Sequence, residues 1–180
     1  SDKLSRLLCV FTLTLAATVL ASTSSRAQWM SDSTSNTAVC VAANEQTNPA
    51  ACSDASDGAI IAWQDRRGGN YTIYAQRIDA NGHEVWAHNG IALTTDQTTS
   101  HMYPQIASDR AGGAYVVWVR GSAKLYAQHV RSDGSLAYGG SGQQIAAGNG
   151  TNIAMCDDGA GGAFVAWEYS TDVYANHLLS

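Results

Sequence analysis

Positive charge is scarce in this chain of 180 residues. Beyond residue 27 it carries seven basic residues, with Lys124 the sole lysine, against fourteen acidic ones, a net charge near −7. A surface of that sign repels polyphosphate backbones and argues against nucleic-acid partners. It argues equally against docking on anionic membranes once a leader is removed. Paired cysteines are also lacking. Cys40, Cys52 and Cys156 follow residue 27, and an odd number excludes a complete intramolecular disulfide set. Either the thiols are free and buried, or a single disulfide forms and leaves one thiol over. Neither CxxC nor CxxCH occurs, so zinc, redox and haem motifs are absent. His83, His88, His101, His129 and His177 show no HxH or HExxH spacing, and no G-x-S-x-G, phosphate-binding loop or dinucleotide fingerprint is present. No metal, cofactor or catalytic residue is therefore assigned. Sustained helical periodicity is missing after Gln28, which leaves an all-β fold.

The one long apolar run lies at the start. Lys3 and Arg6 precede Leu7–Ala21, and Ser25-Arg26-Ala27 places small residues at the positions a signal peptidase reads. At 15 residues the run is short for a membrane span. Residues 1–27 read as a signal peptide cleaved before Gln28, an uncleaved anchor being the alternative. Residues 28–180 then form the exported domain, in a secreted, extracellular or cell-surface setting.

That domain repeats itself. GAIIAW at Gly58–Trp63 returns as GAYVVW at Gly113–Trp118 and GAFVAW at Gly162–Trp167, with 55 and 49 residues between successive tryptophans. The period suits a four-stranded unit of roughly 40–50 residues. Units fall at about 48–94, 103–147 and 151–180, with an orphan strand at 37–42. A first strand (Pro49–Asp54, Pro104–Asp109, Ile153–Asp158) leads through a small-residue turn to the tryptophan strand. A third strand follows at Tyr71–Ile78, Ala123–Val130 and Thr171–Leu178. The turns Asp79–Gly82 and Arg131–Gly134 carry Asn-Gly and Asp-Gly, strong hairpin signals, and lead into a fourth strand around Trp86 or Tyr138. The tryptophan strand is apolar on both sides: Ala114, Val116 and Trp118 alternate with Tyr115 and Val117. A strand buried on two faces lies between sheets. The expected fold is a β-propeller-like array of about three four-stranded blades, part of a larger ring or a fragment of a longer array. Short of a full ring of 4–8 blades, it would be closed by further copies in a homo-oligomer or by more chain.

The pattern P-x-x-x-S-D-x-x-x-G-A-x-x-x-W, followed by Y-A-Q-R-x-D-x-x-G-x-x-x-W, resembles the β-propeller repeats of secreted bacterial surface proteins. It is distantly similar to sialidase-type propellers with Asp boxes. The resemblance covers most of residues 37–180 and implies a propeller in an extracellular setting. It departs from the Asp box S-x-D-x-G-x-x-W: Asp79 stands three residues before Gly82 and Trp86 four after it, and Tyr138 replaces tryptophan in the second unit. The arginine cluster, tyrosine–glutamate pair and acid of a sialidase have no matching positions, so the enzymatic implication does not carry over.

Residues present in every unit serve what every unit needs, whereas catalysis needs one constellation of different groups. Trp63, Trp118 and Trp167 read as core, with sugar-stacking platforms the sharper alternative. Tyr74, Tyr126 and Tyr174 recur beside the amides Gln76, Gln128 and Asn176, which are expected to satisfy backbone groups. Asp54, Asp109 and Asp158 are placed to shape the first turn of each unit; no EF-hand spacing makes Asp157-Asp158-Gly159 a calcium loop. The non-repeated loop Asp65, Arg66, Arg67 and Asn70 is the candidate ligand site. Its arginines can grip a carboxylate or sulfate of an acidic glycan, or simply pair with Asp65. Three functions follow: a non-catalytic adhesion or recognition module for glycan or surface protein, a propeller-type glycoside hydrolase, or a purely structural surface repeat.

Overall fold

The computed structural model describes residues 29, 34, 36–122, 124–146, 148 and 150–179; residues 1–27, expected as a signal peptide, fall outside them. As the repeat predicts, the fold is all-β, with no helix among the described residues. Strands β1 (Gln46–Ser53), β2 (Ala59–Asp65), β3 (Thr72–Ile78) and β4 (Ile91–Ala92) form the first sheet. The second is β5 (His101–Ser108), β6 (Ala114–Arg120), β7 (Lys124–Val130) and β8 (Gln143–Ala146). The third has β9 (Thr151–Asp157), β10 (Ala163–Tyr169) and β11 (Asp172–Leu178). Each sheet is an antiparallel meander with neighbours in chain order. Tight turns rich in glycine and aspartate permit this, whereas parallel neighbours would need long crossovers.

Alternation along the tryptophan strands decides how the sheets stack. Ile60, Ala62, Ile73 and Ala75 of the first sheet pack against Ala114, Val116 and Trp118 of the second. On the other side of β6, Tyr115, Val117 and Val119 join Leu125 and Ala127 to meet Ala163, Val165 and Trp167 of the third sheet. The second sheet is thus covered on both faces. Burying each large apolar side chain there stabilises by about 1.5–3 kcal/mol. Glycine is required where the loop before the outermost strand passes the tryptophan rim. Gly90 (φ 83°) and Gly142 (φ 70°) are left-handed, and a β-carbon at either would collide with Trp63 or Trp118.

Two expected strands differ. Trp86 and Tyr138 lie in loops, reached through single bridges Ile78–Glu84 and Val130–Leu136; the fourth strands are the later segments β4 and β8. The cause is side-chain capture: Gln76 and Gln128 take the backbone N–H groups of Trp86 and Tyr138 that a ladder would otherwise use. Residues 37–42, expected as an orphan strand, join no ladder. Val39 and Cys40 instead border a hollow of about 230 Å³ with Ile61 and Trp63 on the outer face of the first sheet. Covering that apolar face competes with edge pairing.

Two polar ties differ between the junctions. The Ser132 carbonyl accepts hydrogen bonds from Trp86 Nε1 (3.1 Å) and Arg77 Nη1 (3.4 Å), joining the second unit to the first. Between the second and third units, Arg110 pairs with Asp157 at 2.6 Å on the surface.

Candidate functional site

The recurrent acids build turns. Asp54 Oδ1 accepts from the backbone N–H of Ser56 (2.8 Å) and Gly58 (2.7 Å), while Oδ2 meets Arg77 at 3.0 Å. Asp109 repeats this with Ala111, Gly113 and His129, and Asp158 with Ala160, Gly162 and His177. The hydrogen bond from the Ala160 amide, helped by His177, holds the Asp158 carboxyl down at about 2. No β-carbon fits at Gly58, Gly113 or Gly162, because the aspartate and a strand carbonyl already occupy its place.

Each tryptophan stacks on the tyrosine opposite it: Trp63 on Tyr74, Trp118 on Tyr126 and Trp167 on Tyr174, with ring centroids 6.2–6.5 Å apart. All three indoles are buried. Gln76 and Gln128 are fully buried and clamp the loop after β3 or β7. Gln128 donates to the Gly139 carbonyl (2.7 Å) and accepts from Tyr138 (2.9 Å). Asn176, their counterpart, is exposed and accepts from the adjacent His177 amide.

The arginine loop divides. Asp65 is fully buried and bridged by Arg67 at 2.6 Å, while Trp63 donates its indole N–H to Oδ2 at 2.9 Å. Burial alone pushes the Asp65 carboxyl up, but these hydrogen bonds win and hold it below the ordinary carboxylate range. Arg67 lies 3.9 Å above the Tyr74 ring and donates to the Asn89 carbonyl. Arg66 turns outward, donating to the Gly69 carbonyl and bordering a shallow hollow with Asn44 and Glu45. Asn70 donates to the Gln97 carbonyl. Asp65 and Arg67 therefore face inward and Arg66 and Asn70 outward, so the four do not converge on one point.

The second unit builds the same cage from other positions. Arg120 pairs with Asp96 at 2.5 Å over Tyr126, and the Thr98 hydroxyl and amide, then Arg120, hold Asp96 far below its usual range. Here the indole N–H of Trp118 goes to Nδ1 of the fully buried His101 (2.7 Å), which places the imidazole proton on Nε2. Nε2 stands 3.5 Å from Asp96 without hydrogen-bond geometry. Burial lowers the His101 pKa. All three described cysteines carry free thiols. Burial, reinforced by Asp109 and Asp54, pushes Cys52 up to about 12.

A further concavity lies elsewhere. A cleft of about 580 Å³ opens between the second and third sheets, bordered by Met102, Tyr103, Gln105, Val119, Ser122 and Asn152. Sequence reasoning passed over these residues because none belongs to a repeated motif. A signal exists nonetheless: fifteen residues before each tryptophan stand Asn48, Tyr103 and Asn152, and the tyrosine is the odd member. Among the described residues, no group of three or more histidine, cysteine or acidic side chains is arranged to hold a metal ion. No family model matches the chain, and no curated protein matches it significantly.

Proposed function

We propose that the chain is an exported, non-catalytic recognition module that binds glycan or surface protein through the loops and clefts at the margins of its sheets. In this reading the sheets are blades of a β-propeller-like ring completed by further sheets of the same repeat. One observation carries the functional part. The acid repeated in every unit, Asp54, Asp109 or Asp158, is committed to two turn amides and one cationic or imidazole partner. Acids held this way serve the scaffold, whereas a hydrolase needs paired carboxylates roughly 5–9 Å apart facing a substrate. The ring is supported by the third sheet. Its outer face, with Phe164, Val173 and Ala175, presents the columns that Tyr115, Leu125 and Ala127 bury one unit earlier.

A glycan and surface-protein array, followed by turnover assays on every hit, tests the function. Binding without product release is expected; released sugar overturns the reading in favour of a hydrolase. Sedimentation velocity tests the ring. Self-association lost in Phe164→Asp is expected, and a chain that stays monomeric at high concentration removes the assembled ring from the proposal.

A further inference from the structure

The two junctions between sheets use the same columns, yet one is sealed and the other open. At the first, Oε1 of the buried Gln64 accepts from Asn48 Nδ2 (2.6 Å) and from the backbone N–H of Tyr103 (2.8 Å), tying β1 to β5. One unit later the residue after the tryptophan is Val119, which has no amide with which to reach β9. The cleft of about 580 Å³ stands there.

Its rim carries an unusual tyrosine. β1, β5 and β9 each contain an irregularity in the ladder at the same place, with Asn48 (φ 50°), Tyr103 (φ 57°) and Asn152 (φ 48°) in the left-handed region. Asparagine tolerates that conformation, whereas a bulky side chain is strained in it. The Tyr103 side chain is not hidden in the core in return, because the residue is 57 % exposed. Strain retained without packing is a mark of a residue kept for what its side chain meets.

The remaining lining narrows the ligand. Gln105, Ser122, Thr151 and Asn152 supply neutral groups that both donate and accept. Met102, Val119 and Ile153 supply an apolar floor, and among the described lining residues none is charged; the exposed Glu168 beside them accepts from Asn152 Nδ2 at 2.7 Å. Such a lining cannot offset the desolvation of an ionic ligand. A pyranose ring fits it: its C–H face lies on an aromatic ring, and its hydroxyls both donate and accept. An extended peptide fits less well, since the irregularity at Tyr103 interrupts the strand edge that would template it.

We infer that this cleft binds an uncharged oligosaccharide, one sugar ring stacking on Tyr103 while Gln105 and Asn152 hydrogen-bond its hydroxyls. The inference rests on the recognition reading above and names its ligand class and site. The test is calorimetry and saturation-transfer NMR on the exported chain with cellotetraose, maltotetraose and mannotetraose. Sialyllactose and tetragalacturonate serve as acidic probes, and a displayed peptide library as the protein-like one. The expected result is binding of at least one neutral tetraose and neither acidic probe. Tyr103→Asn, the residue its two sister units carry, weakens that binding at least about tenfold, equivalent to about 1.4 kcal/mol. Val119→Gln, which imitates the sealed junction, does the same, and Tyr103→Phe retains binding. Should Val119→Gln fold poorly, Tyr103→Asn still decides. Neutral-sugar binding unchanged in Tyr103→Asn overturns this site and leaves the recognition reading standing. Capture of peptides or acidic sugars alone overturns the ligand class. Failure to bind any probe, together with an empty array, overturns both.

Discussion

The second and third sheets have nearly the same sequence pattern and opposite surroundings. Leu125 of β7 is fully buried, while Val173, at the same place in β11, is 75 % exposed. Tyr115 is sealed between sheets, whereas its counterpart Phe164 is 47 % exposed. Gln128 holds a loop in place, whereas among the described residues no fourth strand lies beside Asn176. Burial in this fold is therefore a property of what lies opposite a sheet as much as of the residues in it. The same column stabilises strongly with a neighbour and contributes little without one.

Substitutions at matched positions sharpen the contrast. Trp118→Ala, at a fully buried site, is expected to cost about 3–5 kcal/mol by urea denaturation. Phe164→Ala, on the open face, should cost under about 1 kcal/mol when measured at dilution on the dissociated chain; at concentrations where the chain self-associates the loss should grow towards that of a buried site. Gln128→Leu strands the Gly139 carbonyl and the Tyr138 amide, a cost of about 1–3 kcal/mol. The matched change Asn176→Leu should leave the melting midpoint almost unmoved. Tyr115→Phe removes a buried hydroxyl that has no hydrogen-bond partner, and imitates the third unit. It should raise stability by about 1 kcal/mol; a loss would point to a bound water.

The smallest effect is a pH dependence confined to the second sheet. Burial lowers the pKa of His101, so the unfolded chain binds this proton more readily than the folded one. Stability should therefore fall as pH drops below about 6.5, the ordinary histidine value, and level off below the folded pKa. His101→Asn keeps an acceptor for the Trp118 indole and removes the titration. Subtracting its pH–stability profile from that of the parent isolates the effect, and a flat difference would refute it.

Much of this was legible in the repeat. Alternation in Ala114–Trp118 predicted a strand buried on both faces, and the recurring Asp–Gly spacing predicted the turns. The fourth strand was misplaced because Asn-Gly and an aromatic residue read as a hairpin. Whether the chain after Asp79 pairs or loops depends on Gln76 reaching across to it. The pairing of an arginine with Asp65 was readable, and Arg67 makes it; the seating of Arg67 over Tyr74 and against Asn89, and the role of His101 beside Trp118, were not, since those partners lie farther along the chain. Tyr103 was within reach, but only by asking which residue breaks the repeat rather than which residue keeps it.

The polar ties at the two junctions differ in kind. The Ser132 carbonyl is gripped by two donors, one of them the buried Trp86, while Arg110 and Asp157 meet in solvent, where an ion pair contributes little. Under tension applied from the carboxyl-terminal end, the third sheet should peel away first as its own small step. The first two would then yield together at a higher force, clasped at the Ser132 carbonyl and at the Gln64 amide.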